Sequence, residues 1–446
     1  MNPLEQYSLE ELQQRTSEKW RNYSADVLPL WVAEMDVRMP DELVQGLHDA
    51  ISIGDVGYLS KEGFKRYAKA FCDFSKRHWG WEHDPNHIAD VPDVVQGCRK
   101  VIDAYLEHNP QNSVIVSTPI YPPLINSYAK GYRYVDAPLV GSAYRLDFDL
   151  LEQAFASCTK DGKRAAYALC NPSNPSGTVH THEELTKLAE LSSKYEVLVV
   201  SDEIHSPLVT ARNYEHDHHA ANCCNSPERH GKHSAFIPYL SIPEADFAVC
   251  VCSASKAFSI PGMKAALVIP SSHMSGKAQD LIWHSGHFGQ ATSEHIGALA
   301  QTICLEQCDE WLYHLVQGIR NNQTYFESLA HKYFPDAKFT TPEGTYFAWV
   351  DFSSYARSGR IPHNMTPQKF FLEQAKVALN PGRTFATPLQ MGWSGLPVDD
   401  TSKGEPADRV STKYDNFVRI NLATSQEIIR LAAERIGESL DDTKSL

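Results

Sequence analysis

Through its first two thirds the chain alternates short apolar runs with longer amphipathic stretches. The segments SVIVSTP (113–119), AAYALCNP (165–172), VLVVSDE (197–203), FAVCVCSAS (247–255) and AALVIP (265–270) are short, often β-branched, and bounded by turn residues. Such runs predict strands buried on both faces. Between the second and third lies HTHEELTKLAELSSKYE (180–196), in which Leu185, Leu188, Ala189 and Leu191 or Ser192 recur at helical spacing behind a Thr181/Glu184 capping box. Strand, helix and strand in that order predict right-handed crossovers and an α/β fold with a mostly parallel sheet flanked by helices. Sheets of that kind bind their ligands at the carboxyl ends of the strands.

The pattern changes near Glu310. A long helical stretch (310–334) leads into AKFTTPEGTYFAWVDF (337–352), which has strand composition around a Pro-Glu-Gly turn. A helical segment near 367–379 and a strand NFVRINLA (416–423) complete a smaller α+β domain. We expect a large domain over 55–310 and a small one built from both chain ends, 1–54 and 311–446. The stretches 211–242 and 392–411, rich in His, Asn, Gly, Pro and charge, read as surface insertions.

Composition narrows the partners. At 446 residues, 42% hydrophobic and 22% charged, the chain can bury a large core. A formal charge of −14 argues against a general nucleic-acid or acidic-membrane binder and leaves phosphate recognition to a local site. The N-terminus has no basic start or apolar signal core, and no apolar stretch is long enough to span a bilayer, so a cytoplasmic protein is expected. Ten cysteines are scattered without a paired CxxC array, and they read as small buried residues, with no metal site expected. The histidine-rich run YEHDHHAANCC (214–224) reads as a polar loop, with metal binding as its alternative.

Candidate chemistry stands at the strand ends. NPSNPSGT (171–178) follows one strand, SDEIH (201–205) the next and SASK (253–256) a third, so an amide, a carboxylate and a lysine are delivered to one edge. Taken singly, each has an ordinary reading: a turn, a helix cap and a solvated lysine. In the helical stretch DVVQGCRKVIDAYL (93–106), Gly97 reads as opening a helix whose residues Val101, Ile102, Tyr105 and Leu106 keep the helical period. Backbone N–H groups at such a helix start suit a phosphate.

The ordered set NPSNPSGT, SDEIHSPL, SASKAFSIPGMK and FVRINLAT resembles the fold-type I pyridoxal-5′-phosphate enzymes of the class I/II aminotransferase superfamily. Within it, PLWVAEMDVRMP (29–40), GYLS (57–60), TPIYPPL (118–124), PEGTYFAWVDF (342–352) and LNPGRTF (379–385) are similar to the cystathionine β-lyase, or carbon–sulfur lyase, group of MalY/PatB type. The resemblance implies an aspartate aminotransferase-like large domain with a seven-stranded sheet. It further implies that Lys256 forms the imine with the cofactor and later moves the Cα proton, and that Asp202 pairs with the pyridine nitrogen. Asn174 would contact the ring oxygen, and Tyr121 would stack on the ring or serve as a strand-end core tyrosine. His205 would orient Asp202 or the ring oxygen, or simply fill the core. The phosphate would meet the amides of Gly97, Cys98 and Arg99, then Ser253, Ser255 and Lys264, which stands where arginine is frequent; Arg99 could also be only solvated. Arg419 would clamp the substrate carboxylate beside Asn174 and the Ala33 N–H. Glu34 stands where that group more often has aspartate. Tyr58 would reach the neighbouring subunit's phosphate, implying a homodimer with shared sites. The implied reaction is thiol elimination from L-cystathionine or related cysteine conjugates, giving pyruvate and ammonia; amino transfer uses the same residues and is the alternative.

Overall fold

The computed structural model describes residues 1–128, 131–211, 236–271, 292–386 and 413–442. The expected insertion at 392–411 and the histidine-rich run at 214–224 lie outside them, as does most of the insertion expected at 211–242. Two one-turn helices, α1 (Leu9–Leu12) and α2 (Glu18–Arg21), precede a two-residue strand β1 (Leu28–Pro29), then α3 (Asp41–Ser52) and α4 (Lys61–Trp79). The main sheet follows: β2 (Ala89–Val91), β3 (Ser113–Val116), β4 (Arg133–Asp136), β5 (Ala165–Cys170), β6 (Leu198–Asp202), β7 (Ala248–Cys252) and β8 (Ala266–Pro270). Its order is β2-β8-β7-β6-β5-β3-β4. The pairs β3–β4, β3–β5, β5–β6 and β6–β7 are parallel, while β8 runs antiparallel to β7 and β2. The mostly parallel seven-stranded sheet is therefore present. Its antiparallel member has a local cause: residues 253–265 join β7 to β8 through turns without a crossover helix, so the chain doubles back.

Both faces of the sheet are covered, which is why its strands read as unbroken apolar runs. On one face α5 (Val94–Leu106) packs Val94, Val101 and Ile102 against Val114, Ala168, Val200 and Val251. Beyond α6 (Pro122–Tyr128), α7 (Phe148–Cys158) and α8 (His182–Tyr195) pack on the other face against Ile115, Tyr167, Leu169 and Val199. The Thr181/Glu184 capping box forms, and Leu185, Leu188, Ala189, Leu191 and Ser192 are all buried. Farther along that face, α9 (His295–Gln307) with α3 and α4 covers Cys250, Cys252 and Leu267.

The remainder is a second layered unit. The helix α10 (Asp309–Tyr333) leads to β9 (Lys338–Phe339), β10 (Phe347–Asp351), β11 (Val377–Ala378), β12 (Asn380–Pro381) and β13 (Phe417–Asn421), and α11 (Gln426–Asp442) ends the described chain. Four of these strands form an antiparallel sheet, β12-β13-β10-β9, and β11 pairs with β1. The helix expected near 367–379 is shorter: Pro367–Phe370 is helical, a wide turn follows, and β11 takes over at Val377. Leu12, Trp20, Leu28 and Leu30 share this unit's core, whereas Ala33, Met35, Leu43 and Leu47 pack with α4 and α9. By packing, residues 1–54 divide between the two cores, with Leu4 and Ala33 onward in the larger and Leu12 to Leu30 in the smaller, and α10 spans both: Leu312 and Leu315 lie in the larger, Phe326 and Leu329 in the smaller.

Candidate active site

The parallel strands β5 and β6 end side by side, with Cys170 opposite Asp202, and the turn carrying Lys256 leaves β7 at the same edge. They open onto a cavity of about 270 Å³ lined by Ala33, Tyr121, Cys170, Asn174, Asp202, His205, Ser255, Lys256 and Lys264, together with the start of α5. The lysine, carboxylate and amide expected to converge do so.

Asp202 is 4% exposed and accepts a hydrogen bond from the Ile204 N–H at 3.1 Å. Burial pushes its carboxyl up to about 7, against the pull of that N–H and of Lys256. Lys256 donates to the Ala33 carbonyl at 2.9 Å. Burial, then the positive charges of Arg419 and Lys264, lower its ammonium to about 8, opposed by Glu34 and Asp202. His205 stands edge-on to Tyr346 and Phe347, with ring centroids 5.8 and 5.7 Å away. Burial, Lys256 and Arg419 hold it well below the ordinary histidine range, so the ring is neutral, and its Nδ1 has no hydrogen-bond partner among the described residues.

Arg419, on β13, is 1% exposed. One terminal nitrogen donates to Asn174 Oδ1 and the other to the Trp31 carbonyl, both at 2.9 Å, and the guanidinium lies 4.0 Å from the Phe347 ring centre. Its Nε is unpartnered among the described residues. The segment carrying Trp31 and Ala33 is itself fixed by a buried ion pair: Lys19 Nζ donates to Asp36 Oδ2 at 2.6 Å and to the Glu34 carbonyl at 3.1 Å, and Trp20 Nε1 donates to Asp36 Oδ1 at 2.9 Å. Glu34 turns its carboxylate to the Ser17 hydroxyl.

Of the residues expected around a phosphate, Ser255 and Lys264 line the cavity and the others do not. The first turn of α5 does face the cavity, but the helix starts at Val94, not at Gly97: Asp93 is the N-cap, and Val94, Val95 and Gln96 line the cavity. Gly97, one turn later, is where α5 crosses closest to the sheet; a Cβ there would lie 2.8 Å from Val251 and 2.9 Å from Val91. Cys98 is buried against the same sheet, and Arg99 pairs with Asp103 at 2.6 Å and covers the Tyr132 ring. None of these three lines the cavity. Ser255 does, whereas Ser253 turns away to the Ala265 carbonyl and Gln301. Tyr58 is fully exposed beside Val56 and Ile53, away from its own chain's cavity. Asp93, Val94, Val95 and Cys170 were missed in the sequence, although Asp93 followed three residues later by Gln96 is a capping-box pattern that marks the true helix start.

Among the described residues no cluster of three or more His, Cys, Asp or Glu could hold a metal ion, and no helix is long and apolar enough to cross a membrane.

A two-unit α/β fold with a lysine and a buried carboxylate lining a strand-end cavity, and a buried arginine hydrogen-bonded to the asparagine that lines it, defines a class of enzymes that act on amino acids. The chain belongs to the aminotransferase class I and II family, whose model matches residues 26–436. It is 36% identical to a Mycobacterium tuberculosis protein provisionally named cystathionine β-lyase, with 98% of each chain covered. Identity to the cystathionine β-lyase PatB of Bacillus subtilis is 30%, over 81% of this chain and 85% of that one. Among solved structures it resembles a provisionally named pyridoxal-phosphate-dependent β-cystathionase of Corynebacterium diphtheriae, with a TM-score of 0.75 and 27% identity over 98% and 99% of the two chains.

Proposed function

We propose that this protein is a pyridoxal-5′-phosphate-dependent carbon–sulfur β-lyase of cystathionine β-lyase type. The observation that carries the reading is one cavity with Asp202 at one wall, Lys256 and Arg419 close by, and the first turn of α5 with Lys264 at another. The donor set fits the cofactor. Free N–H groups at Val94 and Val95, the Ser255 hydroxyl and the Lys264 ammonium suit a phosphate. A carboxyl held near 7 by burial gains from a cationic N–H partner such as a pyridinium. Tyr121 offers an aromatic face, and the neutral His205 has a ring nitrogen free for a polar partner.

When bound, pyridoxal phosphate supplies an electron sink for the pair left on Cα. The chain's residues do the rest. Lys256, with its amine near 8, sheds its proton at modest cost and can take the Cα proton as a base. Arg419, desolvated and already paired with Asn174, presents a planar fork to the substrate α-carboxylate. Asn174 then sits between carboxylate and cofactor, and Ala33 closes the cavity above Lys256. For L-cystathionine the balance is one water consumed, with homocysteine, pyruvate and ammonia released.

The test is incubation of the cofactor-loaded protein with L-cystathionine and no keto acid. Pyruvate, ammonia and thiol should appear in equal amounts. Amino transfer that requires a keto-acid acceptor and yields no thiol would refute the lyase reading.

The same reading includes a homodimer. Ile51, Ile53, Val56 and Tyr58 form an exposed apolar stretch from the end of α3 into the following loop, which suits a second copy. Mixed dimers of Lys256→Ala and Tyr58→Ala protomers should recover activity that neither variant has alone. A cytoplasmic location accords with eight free thiols among the described cysteines.

A further inference from the structure

The N-cap of α5 puts a carboxylate inside a site shaped for an anion. Asp93 lines the cavity next to the N–H groups of Val94 and Val95, which have no backbone partner among the described residues. Its Oδ1 accepts from the Gln96 N–H and its Oδ2 from Gln96 Nε2, each at 2.9 Å, while Lys264 Nζ stands 3.6 Å from Oδ2. Two backbone dipoles and an ammonium thus converge where a phosphate would bind, and the protein's own negative charge already engages the ammonium.

We propose that Asp93 is an internal competitor for the phosphate subsite: it holds Lys264 until an incoming phosphate draws the ammonium away, and its remaining charge keeps the cofactor exchangeable. This rests on the pyridoxal-phosphate reading above. A cap needs only an oxygen acceptor, and asparagine or serine caps as well as aspartate. The charge is therefore in excess of what the helix requires. An anion within one helical turn of a phosphate repels it, and the partial charges of the helix end offset only part of that repulsion.

Asp93→Asn keeps the acceptor and removes the charge. Cofactor-free wild type and variant are titrated with pyridoxal phosphate and, separately, with pyridoxal, following the long-wavelength absorbance of the lysine-bound carbonyl. The variant should bind pyridoxal phosphate about tenfold more tightly, equivalent to about 1.4 kcal/mol, with pyridoxal changed less than twofold. Calorimetry with inorganic phosphate should show the same tightening. Asp93→Ser, a second neutral cap, should behave alike. Unchanged or weaker pyridoxal phosphate binding in both variants, or an equal shift for the two aldehydes, would overturn the proposal and leave Asp93 as a cap that positions Lys264. Wild-type protein that takes up no cofactor refutes the functional reading instead, and the inorganic phosphate comparison then decides the role of Asp93 by itself.

Discussion

Replacing Lys256 with methionine should stabilise the cofactor-free protein while abolishing its chemistry. In the native fold burial, then Arg419 and Lys264, lower the ammonium from 10.5 to about 8. Between those values the unfolded chain holds a proton that the native chain has lost, so stability rises with pH through that window; below 8 the full penalty of the buried charge is present. At pH 7 the penalty is about 3 kcal/mol, falling to about 2 at pH 9 and below about 1 at pH 10. Methionine fills similar volume without the charge; it forfeits one hydrogen bond to the Ala33 carbonyl, worth about 1 kcal/mol. The net gain is about 2 kcal/mol at pH 7, which for a chain of 446 residues corresponds to a thermal midpoint about 2 °C higher. Thermal melts of cofactor-free wild type and Lys256→Met, from pH 7 to pH 10, measure it. A variant no more stable at pH 7, or a gain that does not shrink as the pH rises, would show that burial does not strain the lysine, and the argument for a readily formed neutral amine would fall with it.

Other sites carry the same logic with different signs. Asp202→Asn should eliminate turnover. It should also stabilise the cofactor-free protein above pH 7, where the native carboxylate is charged and buried, with the gain lost as pH falls from 7 towards 4; urea melts at pH 8 and pH 5 test the sign. Arg419→Lys keeps the charge but loses the fork shared by Asn174 and Trp31, so kcat/KM for L-cystathionine should fall about tenfold to a hundredfold, a loss of roughly 1.5–3 kcal/mol. Gly97→Ala forces a methyl into Val251 and Val91, so it should destabilise by about 1–3 kcal/mol and, by displacing the start of α5, weaken pyridoxal phosphate binding; an unchanged cofactor affinity would separate the helix position from the phosphate subsite.

The fold was legible wherever periodicity and burial agree. The runs at β5, β6 and β7 are buried at every residue because helices cover both faces, and the start of α8 was readable because its capping box and apolar stripe point the same way. The division of the N-terminal segment between the two cores was not. Trp20 and Leu28 pack with α11 and β13, yet Met35 and Leu43, only a few residues on, pack with α9, and nothing in local composition marks the switch. What fixes it is the pairing of β1 with β11 and the Lys19–Asp36 ion pair, contacts between segments that no window of sequence contains together.

The start of α5 shows how a correctly read helix can be begun at the wrong residue. A glycine at the start of a helix has two physical uses, exposing backbone N–H groups or letting the helix approach a sheet, and sequence alone does not distinguish them. At Gly97 the second use holds, since the space for a Cβ is filled by Val251 and Val91. The first falls to Val94 and Val95, whose N–H groups open the helix with no intrahelical acceptor and no backbone partner among the described residues, the Asp93 oxygen serving Gln96. The two uses are linked: only because Gly97 lets α5 lie close to β7 does the helix start reach the strand edge where Asp202 and Lys256 stand. The aspartate that caps that helix therefore lines the cavity as well, at the proposed phosphate subsite. Where the helix begins fixes that residue's position and not its charge, since asparagine and serine cap as well, which is why Asp93→Asn and Asp93→Ser test the charge alone.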